Sequence, residues 1–124
     1  MLRLLLVEDH AAFRGALAMV LNSESDMGVA AECGSLAECG ALEGLENVDV
    51  ALLDLNLPDG EGTELVAVLR AANPAVRVLM LSAGIEAGLR ERAAEAGADG
   101  VLDKMTSPPE LASEVRRVAG IGEA

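Results

Sequence analysis

Aromatic residues are almost missing from this 124-residue chain, which has one Phe, Phe13, and no Trp or Tyr. Its interior must therefore be built from Leu, Val, Ala and Met, which suits a sheet covered by Ala-rich helices. Cysteine is also scarce. Cys33 and Cys39 are the only two, and without a secretory segment they read as reduced, small hydrophobic side chains rather than a disulfide framework. Long hydrophobic runs are lacking as well: the N-terminal stretch MLRLLLVEDH meets Glu8 and Asp9 too soon to be a signal peptide or a membrane span. The chain reads as cytoplasmic, with no membrane contact. Positive charge is in deficit, with 9 basic against 21 acidic residues and a formal net charge of -12. That balance repels nucleic-acid phosphates, so these residues by themselves are a poor DNA-binding unit.

What remains is 52% hydrophobic residues, enough for one domain with a substantial core. Short apolar runs alternate with helix-periodic segments, the pattern of a parallel sheet with helices on both faces. Strands are predicted at residues 4–7, 29–31, 50–53, 78–81 and 101–102. Helix stripes fall on Phe13, Leu17, Val20 and Leu21, on Leu65, Val68, Leu69 and Ala72, on Leu89, Ala93 and Ala96, and on Leu111, Val115 and Val118. Ser35 with Glu38, and Ser107 with Glu110, have the spacing of capping boxes, the second with Pro108 at the first helical position. Gly97 and Gly120 stand where left-handed caps would end two helices. The segment 120–124 reads as a linker start or a terminal tail, leaving a domain over 1–119.

In such a sheet the C-terminal strand ends share one edge, and ligands bind there where the winding reverses. The residues that follow the predicted strands are Glu8 and Asp9, then Asp54, then Ser82, then Asp103 and Lys104. A strand order of 2-1-3-4-5 brings Glu8, Asp9 and Asp54 into one pocket. Three carboxylates together need protons or a cation, and an all-oxygen set with waters suits a small hard ion such as Mg2+. His10 is expected to point into the next segment, which leaves no zinc site. A carboxylate can attack a phosphoryl group to give an aspartyl phosphate, with Lys104 supplying charge balance and Ser82 a hydrogen bond. Gly60 and Gly62 leave the neighbouring loop free to approach, and Pro58 stiffens its exit.

The stretches LLLVEDH, VALLDLNLPDGEG, VRVLMLSAG and ADGVLDK together resemble the receiver domain of two-component response regulators, over the whole chain. EDHAAFRGAL, with His10, Phe13 and Arg14, is similar to the subfamily whose receivers precede a LuxR-type helix-turn-helix domain. The resemblance implies a flavodoxin-like receiver fold. It implies that Asp54 is the phosphoacceptor, that Asp9 binds Mg2+ directly and Glu8 through water, and that the Asn56 backbone carbonyl completes the set. Lys104 and Ser82 would hold the phosphoryl oxygens, Ala83 would leave room for them, and Asn56 and Gly84 would flank the group. It further implies a sensor histidine kinase as donor, output through a homodimer or an effector, and DNA contact only through a C-terminal domain beyond Ala124, unless the chain is a single-domain regulator. Self-catalysed phosphorylation and dephosphorylation belong to the same picture. Val101 stands where the family commonly has an aromatic switch, so another face carries the signal or coupling is weaker. Met105 stands where a proline often follows the lysine. Two other readings exist: a receiver-like interaction module that works without phosphorylation, and a flavodoxin-like carrier, which the acids after the first strand oppose.

Overall fold

Successive side chains on a strand face opposite ways, and that period sorts the core of this protein into two halves. The computed structural model describes residues 1–121; of the segment expected to be a tail, 122–124 lie outside the described residues. Five parallel strands, β1 (Leu2–Val7), β2 (Met27–Cys33), β3 (Val50–Asp54), β4 (Arg77–Ser82) and β5 (Gly100–Asp103), form one sheet in the order β2-β1-β3-β4-β5. The connecting helices are α1 (Ala11–Asn22), α2 (Leu36–Gly40), α3 (Leu65–Ala72), α4 (Leu89–Glu95) and α5 (Pro108–Ala119). The doubly wound α/β class and the strand order are those indicated by the sequence.

On one face Leu4 and Leu6, Val50 and Leu52, and Leu79 and Leu81 pack with Leu17 and Leu21 of α1 and Leu111 and Val115 of α5. On the other, Leu5 and Val7, Ala51 and Leu53, and Val78 and Met80 pack with Leu65 and Leu69 of α3 and with Leu89 of α4. Burial on both faces is why these three strands read as unbroken apolar runs. Each fully buried Leu or Val contributes about 1.5–3 kcal/mol, so packing on the sheet outweighs helix propensity in holding the short helices. Among the described residues no helix is long and apolar enough to cross a membrane.

Three local features differ from the pattern reading. In α3 the buried side chains are Leu65, Val66 and Leu69, while Val68 is exposed. The 3-10 turn Gly62–Glu64 that leads into the helix, closed by a Glu61/Glu64 capping box, sets this rotation. Phe13 and Val20 are only half-buried, so α1 rests on Leu17, Ala18 and Leu21. Both Ser caps form, the Ser35 Oγ accepting from the Glu38 N–H and the Ser107 Oγ from the Glu110 N–H, but neither glutamate returns to the cap's own N–H. Glu38 accepts instead from the Gly34 N–H, and Glu110 from the Ser107 hydroxyl. Gly97 and Gly120 do adopt left-handed conformations, with φ of 99° and 79°.

Beyond β3 the chain makes a small hairpin, Asn56–Leu57 against Gly60–Glu61, and Gly62 then returns beneath the strand end. The Gly62 N–H donates to the Leu55 carbonyl at 2.8 Å. A Cβ on Gly62 would lie 2.1 Å from the Asp54 carbonyl oxygen, a backbone atom that cannot swing away. Gly62→Ala is expected to lower the unfolding free energy by about 1–3 kcal/mol or more through overpacking. Gly84→Ala, where an added Cβ meets nothing within 4 Å, should stay within about 0.5 kcal/mol. Urea melts of the two variants check this, and equal midpoints would contradict the close approach at Gly62.

Candidate functional site

The apolar rows facing α1 and α5 end in charge. Leu4 and Leu6 are followed in phase by Glu8, Val50 and Leu52 by Asp54, and Leu102 by Lys104. Leu6 pairs with Leu52 and Val7 with Leu53, so the next step sets Glu8 beside Asp54. The Lys104 Nζ lies 2.7 Å from Glu8 Oε1 and 3.0 Å from Asp54 Oδ2, bridging the two acids. Glu8 is 1% exposed and Asp54 3%, so the bridge is nearly dry. The ammonium also sits 5.5 Å from the Phe13 ring centroid, a cation–π contact that gives the lone aromatic a place at the edge.

Burial pushes the Asp54 carboxyl up to about 6; the Lys104 hydrogen bond and charge work against this, and the negative charge of Glu8 adds to it. Burial disfavours the Lys104 ammonium, but its hydrogen bonds to Glu8 and Asp54 outweigh that and hold its pKa above the ordinary lysine value. Slight desolvation of Asp9 is likewise overcome by hydrogen bonding with Glu8 and its own backbone, by the charge of His10, and by hydrogen bonding with Asp54, which together keep its carboxyl below the usual range.

The other expected residues fall around this centre in different ways. Asp9 is exposed, and its carboxylate gathers with donor atoms of Glu8 and His10, all within 4.8 Å of one another. The His10 ring is 78% exposed with its Nδ1 3.7 Å from Glu8 Oε2, on the side of the acids rather than in the next segment, and its backbone N–H donates to the same oxygen at 2.9 Å. The Asn56 N–H donates to Asp54 Oδ1 at 3.3 Å. Ser82 lies at the same edge, paired with Asp103, but it is one residue out of phase with the charged row. Its hydroxyl donates to the Gly84 carbonyl, and no hydrogen bond joins it to Asp54. Asp103 turns its carboxylate to the Met105 N–H at 2.7 Å, and the Lys104–Met105 peptide is trans. Val101 is buried at 6% in the core on the α3 side. Cys33 and Cys39 are free and buried.

One residue was named in the sequence only as part of a resemblance and has a defined place here. The Arg14 guanidinium donates to the Glu8 carbonyl at 2.6 Å, and its Nε lies 3.4 Å from Glu32, so α1 holds the acidic turn by its main chain. The only sequence signal was a cation six residues after Glu8. The donor set suits a hard divalent ion: the carboxylates of Glu8, Asp9 and Asp54 gather at an edge where one ammonium, Lys104, pairs with Glu8 and Asp54. Such an edge can bind a cation, hold an anionic group against it, and present a carboxylate as a nucleophile.

The sequence profile described as the response regulator receiver domain matches residues 4–116. The transcriptional regulatory protein UhpA of Escherichia coli is 39% identical over 121 residues, covering 96% of this chain and 59% of that protein. The DNA-binding transcriptional activator DevR/DosR of Mycobacterium tuberculosis is 36% identical over 118 residues, covering 95% and 54%. This chain thus spans somewhat more than half the length of these relatives. The signal receiver domain of the putative response regulator NarL from Mycobacterium tuberculosis superposes with a TM-score of 0.82 at 29% identity, covering 96% of each chain. With the fold, the acidic edge and these matches taken together, the chain belongs to the response regulator receiver domain family.

Proposed function

We propose that this receiver domain is a magnesium-dependent phosphoacceptor, with Asp54 taking a phosphoryl group from a phosphohistidine on a sensor histidine kinase. The observation that carries this is the Asp54 carboxylate, 3% exposed at a strand end and 3.0 Å from the Lys104 ammonium. In the transfer an Asp54 oxygen forms a bond to phosphorus while the bond from phosphorus to the imidazole nitrogen breaks, its electron pair staying on that nitrogen. Lys104 moves from sharing two carboxylates to holding a phosphoryl oxygen. Ser82 exchanges its bond to the Gly84 carbonyl for another, a local change because that partner is two residues away. Asp9, Asp54 and the Asn56 carbonyl would hold Mg2+ directly, and Glu8 through a water. When bound, the ion neutralises charge developing on the phosphoryl oxygens.

Output is proposed to pass through a homodimer or through an effector domain, in keeping with relatives that are transcriptional regulators and of which this chain covers 59% and 54%. DNA contact would belong to that further domain, since the net charge here is -12. The proposed setting is the cytoplasm.

Incubation with a small acyl phosphate and Mg2+, followed by intact mass measurement, should add the mass of one phosphoryl group to the wild type and none to Asp54→Asn. No gain on the wild type, or the same gain on the variant, would overturn the assignment. A second test uses protonation. The Asp54 carboxyl is raised from 3.8 to about 6 in the folded state, so between those values the native protein holds a proton that the unfolded chain has lost. Stability contributed by this group therefore falls as pH rises through that window, the reverse of a salt-bridged acid with a depressed pKa. Asp54→Asn is expected to be more stable than the wild type near pH 7, with the gap closing at about pH 4. Urea midpoints at the two pH values read this out, and a variant that is destabilised at neutral pH contradicts it.

A further inference from the structure

We propose that Cys33 and Cys39 form a redox-active dithiol, a modification site at which a low-molecular-weight disulfide such as oxidised glutathione closes an intramolecular bond between β2 and α2. The site is separate from the acidic edge and does not depend on phosphoryl transfer. Parallel pairing sets Cys33 beside Val7 at the end of β2, and both side chains enter the core layer on the α3 side of the sheet. Cys39 enters the same layer from the helix: of the five described residues of α2 it alone is buried. Local chain geometry brings the two together. Ser35 is the helix cap, so Cys33 lies just ahead of the cap and Cys39 at the fourth helical position, the two places that a staple across a helix start joins. Here the staple is made of sulfur, with the Cys33 thiol donating a hydrogen bond to the Cys39 sulfur. Both cysteines are free.

Cys39 is the attacking sulfur. The hydrogen bond from Cys33 holds its pKa below the ordinary thiol value, although burial works against this. Access comes through α2, because a helix of five residues has little cooperativity and can open without unfolding the sheet. The Cys39 thiolate attacks one sulfur of oxidised glutathione, whose S–S bond breaks and releases one glutathione thiolate with the electron pair. As the helix recloses, the Cys33 sulfur attacks the Cys39 sulfur and expels the second glutathione. Two protein thiols are oxidised, one external disulfide is reduced, and the two protein thiol protons are balanced by those taken up on the released glutathione sulfurs. The ring so closed contains the cap and the first turn of α2. It fixes them to a strand end whose Cys33 carbonyl accepts from the Glu8 N–H at 3.0 Å.

The reduced, folded chain is incubated with excess oxidised glutathione without denaturant, and remaining thiols are alkylated before intact mass measurement and peptide mapping. The wild type is expected to lose the mass of two hydrogen atoms, to gain neither alkyl group nor glutathione, and to yield a Cys33–Cys39 cross-linked peptide. Cys33→Ser, which keeps a donor at that position, should stop at a mixed disulfide on Cys39, and absence of that adduct would overturn Cys39 as the attacking sulfur. In the oxidised wild type, hydrogen exchange at the Cys39 N–H, which donates to the Ser35 carbonyl at 3.1 Å, is expected to slow by at least about tenfold while the amides of α5 keep their rates. A wild type that keeps both thiols, that holds glutathione without closing the ring, or that closes it only in urea would overturn the proposal. So would unchanged exchange at Cys39, which would mean that the bond leaves α2 as free to open as before.

Discussion

Lys104 stands between Glu8 and Asp54, within 3.0 Å of an oxygen of each, and without it two nearly dry carboxylates would end neighbouring strands with nothing to offset their repulsion. Much of the architecture serves that one placement. The reversal of winding puts β1 beside β3, which makes the acids neighbours. The lysine comes from β5, on the far side of β4, so its side chain must reach across an intervening strand. The row on that strand ends in Ala83, and a small side chain there leaves the path clear. Gly62 lies against the main chain of Asp54 from below, and Arg14 holds the main chain of Glu8. Both acids are thus anchored through their backbones as well as through the bonds that their carboxylates make to Lys104, His10 and Asn56.

The site is correspondingly a source of instability as well as of reactivity. A carboxyl whose proton affinity is raised by burial gives up folding free energy when it ionises, and the domain bears this because the two leucine-rich layers behind it are complete. The transfer of a phosphoryl group would place still more negative charge at the same edge. Val101 cannot answer that change by turning a ring, being a short side chain packed on the α3 side of the sheet. A bond at the same edge that can rearrange is the hydroxyl of Ser82 on the Gly84 carbonyl, in the segment that leads toward α4.

The three central strands were legible because they are buried on both faces and therefore appear as plain apolar runs, while β2 and β5, only partly buried, carried shorter signals; each strand is extended in the structure by at most a few residues. The charged row was legible too, since a period of two carries Leu4, Leu6 and Glu8, or Val50, Leu52 and Asp54, to one side. What could not be read was rotation and reach. Whether Val66 or Val68 faces the sheet depends on the 3-10 turn before α3, which has no strong local signature because Glu is an unusual cap. The turn at His10 is held by a backbone hydrogen bond to a side chain two residues earlier. The Ser82 hydroxyl was expected at the phosphoryl position, and spacing alone could not show that a nearer carbonyl engages it.

Asp59, a residue with no apparent role in the sequence, accepts hydrogen bonds from the N–H groups of Leu36 and Ala37 at 2.9 and 3.0 Å, and these hold its carboxyl below the usual range. It belongs to the hairpin turn that follows Asp54, yet it secures the first turn of α2, a helix of only five residues. So short a helix has little cooperativity of its own. Its first turn is therefore tied to the turn beside the acidic edge by two hydrogen bonds in addition to the Ser35 cap, so a displacement of that turn would be felt first at Leu36 and Ala37.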